Sequence, residues 1–249
     1  MMIDVATPGG IAEAWLSRPA DAADDAVLPG VLLFVDAIGV RPRIFDMAGR
    51  IASWGYTVLA PNVFHRDGNA VETSPTEPLD TDEKRAEFFA EAMPRVHALT
   101  PDLALPDIAA YLTALTSRPD TSAPLGVVGY CMGGRLAVRA ACAHPDLVAA
   151  CGAFHTGGLA TEAEDSPHLG LPNARAEFVF GHADQDRSMD PAQVERLGEA
   201  LAAVGLTATN EVYADAAHGY TMADTAVYDE AATERHFTEL RDLFDRTLG

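Results

Sequence analysis

Three cysteines, no Cys-x-x-Cys pair and only 17 basic residues among 249 are the first limits this sequence sets. An odd cysteine count without close pairing gives no disulfide framework. Without Cys-x-x-Cys, zinc-ribbon and thioredoxin readings have no support, and neither a metal nor an organic cofactor is expected. Seventeen basic against 37 acidic residues leave a net charge of −20. Such a chain lacks the basic patches that phosphate binding requires, so nucleic acid is not an expected partner. The acidic excess reads as a solvated surface that favours solubility. No apolar run approaches the ~20 residues that cross a bilayer. The first residues, Met1-Met2-Ile3-Asp4-Val5, lack the basic and apolar regions of a signal peptide. The expectation is a soluble, cytoplasmic protein without a membrane partner, as a monomer or small homo-oligomer.

What is present is apolar and periodic. Hydrophobic residues make up 48% of the chain, enough for a sizeable core. Apolar runs at Val31–Val35, Tyr56–Ala60, Leu125–Val128, Leu147–Phe154, Glu177–Phe180 and Thr207–Tyr213 read as strands. Residues 11–16 alternate apolar and polar and read as a half-exposed edge strand, followed by a surface loop over 17–30. Between the runs lie helical patterns: one opened by Pro42 and closed by Gly55, then 82–98 with a kink or stop at Pro94, 103–116, one opened by Pro191, and about 225–248. The Pro- and Asp-rich stretch 61–81 reads as a long loop and a candidate cavity wall. Strands alternating with helices call for a mostly parallel central sheet with helices on both faces, an α/β fold. No repeat or composition break divides the chain, so residues 1–249 are taken as one domain.

The stretch Gly129-Tyr130-Cys131-Met132-Gly133-Gly134 falls between a strand and a helix. A nucleophile at the apex of such a turn sits in a strained conformation. Small residues two positions away on each side let strand and helix approach. Cys131 is therefore the candidate nucleophile, whereas Cys142 and Cys151 read as buried packing residues.

In open α/β sheets, sites form beyond the carboxyl ends of the strands. Asp36, Cys131, Asp184 and His218 stand at four such ends. Nucleophile, acid, histidine is the chain order of the α/β-hydrolase fold. The attacking species is the thiolate, which a neighbouring base and a helix N-terminus both favour. His218 is the candidate base, with Asp184 holding its ring in the productive tautomer. Asp186 and Asp190 compete for that role, and the Gly181-x-x-Asp184 turn favours Asp184. The backbone N–H groups of Met132 and Ala37 are candidate oxyanion donors. Asp36 reads either as a second acid at the thiol or as a cap on the following segment. His65, His97, His144 and His236 read as surface or loop residues, and His155 and His168 lie in an irregular loop near the expected site.

Together these motifs, with Gly55-Tyr56-x-Val58-Leu59-Ala60-Pro61 and His218-Gly219-Tyr220, resemble the dienelactone hydrolase family over nearly the whole chain. The resemblance implies hydrolysis of a small carboxylic ester or lactone through a Cys-His-Asp triad and a thioester, without cofactor. It also implies a role in thiol activation for the residue at position 36. There members of the family carry a glutamate that engages the resting thiol, and Asp36 is one methylene shorter. The family's dienelactone-cleaving enzymes place a carboxylate-binding arginine four residues after the histidine. Met222 stands there, which points to a less charged ester, lactone or thioester. The alternatives are a thioesterase, or a non-hydrolytic scaffold that binds a small ligand or senses oxidants through Cys131.

Overall fold

Eight strands form one sheet in the order β1-β2-β4-β3-β5-β6-β7-β8 in the computed structural model, which describes residues 1–23 and 25–249. The residue between those ranges, part of the expected 17–30 loop, lies outside the described residues. The strands are β1 (Met2–Thr7), β2 (Gly10–Ser17), β3 (Leu28–Phe34), β4 (Thr57–Pro61), β5 (Thr121–Tyr130), β6 (Val148–Phe154), β7 (Glu177–Ala183) and β8 (Ala208–Tyr213). From β4 to β8 all neighbours are parallel, while β1–β2 and β2–β4 are antiparallel. This is the α/β-hydrolase fold. The expected edge strand at 11–16 is corrected: β2 is flanked on both sides, because Met2–Thr7 folds back on it as a hairpin and takes the edge. Its alternating burial comes from one face packing inward, a pattern that an edge strand shares.

Helices α1 (Pro42–Ala52), α2 (Asp82–Ala98), α3 (Pro101–Thr116), α4 (Met132–Ala143), α5 (Pro191–Val204) and α6 (Glu230–Thr247) link the strands. Local chemistry sets their ends. Pro42, Pro101 and Pro191 start helices where a missing N–H costs nothing. Thr81, Asp190 and Asp229 cap N-termini by accepting backbone N–H bonds. Gly205 ends α5 in the left-handed conformation (φ 68°). Pro94 does not stop α2, which continues to Ala98.

The central strands β3 to β7 are buried on both faces, whereas β1 and β8 at the two edges are mostly exposed or half-exposed. α1 and α6 meet on one side, where Trp54 packs edge-on to Phe237 at 5.9 Å and Arg50 pairs with Glu234. α3 and α4 pack together on the other, over β3 and β5. Phe237, Leu240, Phe244 and Leu248 form the expected inward stripe of the last helix. Burying each such side chain stabilises the fold by about 1.5–3 kcal/mol. The chain runs from β3 outward to β4, then returns past β3 to β5. The ends of β3 and β5 therefore flank a switch point, where a crevice opens above the sheet.

Candidate active site

Cys131 sits at that crevice, at the turn from β5 into α4, with φ 54° and ψ −123°. A non-glycine residue held there is strained, and the surrounding packing enforces it. A Cβ at Gly129 would overlap the Gly133 carbonyl, one at Gly133 the Phe34 and Val35 carbonyls, and one at Gly134 the Thr156 hydroxyl. The three glycines flanking Cys131 thus let α4 press onto the strands and hold the thiol at the apex. Tyr130, fully buried beneath, bonds through its hydroxyl to His236 Nε2 at 3.1 Å. His236 is itself completely buried in α6, so its expected surface position is corrected. Its other nitrogen meets the Thr233 carbonyl within the helix, which is how a buried imidazole stays satisfied.

His218 reaches Cys131 from the turn after β8, Nε2 to Sγ at 3.1 Å. Its Nδ1 lies 2.5 Å from Asp186 Oδ2. The expected orienting acid, Asp184, is corrected. β7 extends to Ala183, so Asp184 still belongs to the join with β8: its N–H donates to the Ala216 carbonyl and its Oδ2 accepts from the Asp215 N–H at 3.0 Å. The chain then turns through Gln185 at φ 54°, which brings Asp186 back against His218. The other carboxylate oxygen, Asp186 Oδ1, accepts from the N–H (2.8 Å) and hydroxyl (2.6 Å) of Ser188. The sequence signal that favours Asp186 is local: Asp-x-Ser is a spacing at which a carboxylate caps its own turn.

The electrostatics follow from this chain of contacts. Burial opposes charge on all three groups, yet partners overcome it. His218 and the Met132 N–H lower the Cys131 thiol against its burial and against the Asp36 charge. Cys131 and Asp186 raise His218 to about 10, and His218 and Ser188 lower Asp186 to about 2. All three shifts run towards the charged forms, the direction in which a thiolate faces an imidazolium. Cys142 and Cys151, buried without such partners, are pushed up and stay thiols.

Ala37 and Met132 line the same cavity as Cys131, one at the end of β3 and one at the first turn of α4. Asp36 also lines it, but both of its oxygens are taken: Oδ1 accepts from the Ile38 N–H and Arg41 Nη1, Oδ2 from Arg41 Nη2. It makes no hydrogen bond to the thiol. His155, which falls in a stretch read as irregular loop, stands at the end of β6 with φ 39°. Its ring lies edge-on to His218 at 5.5 Å, and its Nε2 meets the Thr221 hydroxyl at 2.8 Å. Burial and the His218 charge hold it neutral.

The cavity measures about 380 Å³. Its outer wall is α2, through Arg85, Phe89, Met93, Val96 and His97, and not the 61–81 loop, which contributes no lining residue. The pattern of 82–98 shows a helix with scattered apolar residues but not that they face a cavity. Met222 and Val227 close the far side. Arg85 and Arg135 are two lining guanidiniums with no ion-pair partner among the described residues. No cluster of His, Cys, Asp and Glu that could hold a metal occurs among the described residues.

Comparison with known proteins bears on the family and the fold. A family model described as the dienelactone hydrolase family matches residues 13–248. A carboxymethylenebutenolidase of Rhodococcus opacus is 27% identical over 97% of this chain and 89% of its own. One of Pseudomonas sp. (strain P51) is 26% identical over 82% of this chain and 79% of its own. Among solved structures, a Klebsiella pneumoniae protein provisionally assigned as a dienelactone hydrolase superimposes with a TM-score of 0.82 at 23% identity, covering 99% of this chain and 98% of that one. A dienelactone hydrolase of Anabaena variabilis does so with a TM-score of 0.66 at 16% identity, covering 99% and 97%.

Proposed function

Because the chain belongs to the dienelactone hydrolase family, and is thereby a hydrolase, we propose that it cleaves a small carboxylic ester or lactone through Cys131, His218 and Asp186. The observation that carries this reading is the bridging position of His218, 3.1 Å from the Cys131 sulfur on one side and 2.5 Å from Asp186 on the other. A single α/β-hydrolase domain over residues 1–249 supplies every group.

The thiolate of Cys131 attacks the substrate carbonyl carbon, and the carbonyl electron pair moves onto oxygen. The N–H groups of Met132 and Ala37 are the donors for that oxyanion. As the intermediate collapses, the carbon–oxygen bond to the leaving group breaks and the His218 imidazolium protonates the departing alkoxide. In a lactone that alkoxide stays tethered to the acyl group. The product of this half is a thioester on Cys131. His218, now neutral, takes a proton from water, hydroxide adds to the thioester, and the thiolate leaves. Asp186 keeps Nδ1 protonated throughout, so that Nε2 alone exchanges protons. The steps draw on three side chains, two backbone N–H groups and water.

The lining is largely apolar, which suits a compact organic acyl group. The apolar Met222 removes a charge from one wall, but Arg85 and Arg135 supply charge from two others. A cavity with both features accepts a neutral ester and retains donors for a carbonyl or carboxylate on the walls formed by α2 and α4. A purely binding scaffold would have no use for the Asp186–His218 pair, whereas an oxidant sensor would use the lowered thiol but not the turnover tested next. Cys131→Ala is expected to bring p-nitrophenyl acetate hydrolysis down to the uncatalysed background while circular dichroism stays unchanged. Unchanged turnover in that variant ends the reading. Iodoacetamide is expected to label Cys131 before Cys142 or Cys151.

A further inference from the structure

One buried guanidinium ties together the two loops that flank the thiol. Arg41, 3% exposed, stands between β3 and α1. Its Nη1 donates to Asp36 Oδ1 (2.7 Å) and to the Gly39 carbonyl (3.1 Å), and its Nη2 to Asp36 Oδ2 (3.1 Å). Its Nε donates to Asp224 Oδ2 (2.5 Å), and Nη2 reaches Asp224 Oδ1 (3.2 Å) and the Met222 sulfur (3.3 Å). Asp36 begins the loop that carries Ala37. Met222 and Asp224 belong to the loop that follows His218. Two forked pairs of this kind fix orientation as well as charge, because guanidinium and carboxylate are both planar.

Asp36 is 3% exposed and shares its cavity with Cys131. A carboxylate there, left alone, is a negative charge beside the place where a thiolate must form, and its field does act against the thiolate. It has two ways to be satisfied: by the thiol proton, which masks the nucleophile, or by a cation. All its hydrogen bonds go to Arg41 and the Ile38 N–H.

We propose that Arg41 is a positioning residue that holds Asp36 turned away from Cys131 and compensated, so that the nucleophile stands ready as a thiolate before substrate arrives. The proposal rests on the reading of Cys131 as nucleophile. It departs from the role that the family resemblance implies for position 36, since here the acid is engaged permanently from within its own loop. The other groups that face the thiol do not duplicate this effect. His218 and the Met132 N–H favour the thiolate directly, with Asp186 behind the imidazole. His155 is neutral. Arg135 on α4 and Arg85 and His97 on α2 line the cavity without a bond to Asp36. Asp224, the remaining charge on Arg41, is the second carboxylate of the same clamp.

The test is a double-mutant cycle read as pH profiles. The rate of Cys131 alkylation by iodoacetamide and kcat/KM for p-nitrophenyl acetate are measured against pH for the natural protein, Arg41→Met, Asp36→Asn and the double variant. Freeing the Asp36 charge in R41M is expected to move the acid limb of both profiles upward by about one pH unit or more. D36N is expected to move it down, and the double variant to return it near its natural position. A purely structural role for Arg41 lowers activity without moving the limb. An unmoved limb in R41M, or a double variant that keeps the R41M limb, overturns the proposal. If R41M does not fold, Arg41→Lys serves, because one ammonium cannot bridge both carboxylates. A smaller shift in the same direction is then expected, and an unshifted R41K profile overturns the proposal. Loss of the underlying reading is seen separately, as iodoacetamide failing to label Cys131 in the natural protein.

Discussion

Asp184 and Asp186 differ in what they hold. Asp184 accepts a backbone N–H and joins β7 to the loop after β8, whereas Asp186 faces the imidazole. Asp186→Asn presents an amide to His218, which permits the wrong tautomer and weakens the imidazolium. It is expected to lower kcat by about 100-fold or more, and Asp184→Asn to leave kcat within a few-fold. Steady-state kinetics on the two variants decide the assignment. The same geometry sets the pH response. As pH falls, activity is lost when the Cys131 thiolate takes a proton, below the ordinary thiol range. As pH rises through about 10, His218 loses the proton that the leaving group needs. A plateau between those limits is expected in kcat/KM. For stability the signs are separate. The depressed Asp186 contributes above its ordinary value near 3.8 and loses that contribution as pH falls towards about 2. That Cys131, His218, Asp36, Ala37 and Met132 share one cavity is legible because each stands at a strand end marked by composition. Asp186 is less so, because the choice between two acids two positions apart depends on where β7 stops. Arg41 leaves no trace in a pattern, since its partners Asp36 and Asp224 are brought together only by the folded sheet.

At the level of elements, strands read as continuous apolar runs fell into place because parallel strands covered on both faces have no polar side to confuse the pattern. β1 was missed because five of its six positions are exposed or half-exposed, and only pairing with β2 makes it a strand. The wall role of α2 was missed for a related reason: its apolar residues serve a cavity, so they do not form the full stripe of a packed helix. α4 is the opposite case. Nine of its residues are buried, and Gly133 lies directly against the Phe34 and Val35 carbonyls. Backbone cannot yield as a flexible side chain would. Gly133→Ala is therefore expected to destabilise the protein by about 1–3 kcal/mol, despite the better helix propensity of alanine, and chemical denaturation measures it.

The whole molecule carries a net charge of −20, while two guanidiniums without an ion-pair partner among the described residues line its cavity. These act over different distances. The long-range field repels an approaching anion and is screened by salt, whereas a guanidinium within the cavity acts at contact. For p-nitrophenyl hemisuccinate, whose free carboxylate is an anion, kcat/KM is expected to rise with ionic strength, and for neutral p-nitrophenyl acetate to stay level. Parallel titrations with sodium chloride check the difference. Composition makes the outer field plain; the inner charges needed the fold, since Arg85 and Arg135 come from helices far apart in the chain.

The wall formed by α2 has a consequence for how such a protein changes over generations. That helix is fully buried only at Ala92 and Val96, yet it contributes five of the residues that a substrate would meet. The reacting groups are rooted in strand ends and in α4, where almost any replacement disturbs the core. Choice of substrate and capacity for chemistry are thus written on separate stretches of sequence, under unequal constraint. The cavity-facing residues of α2 can be exchanged by a designer while Ala92 and Val96 keep the helix packed and the thiol, imidazole and carboxylate keep their places.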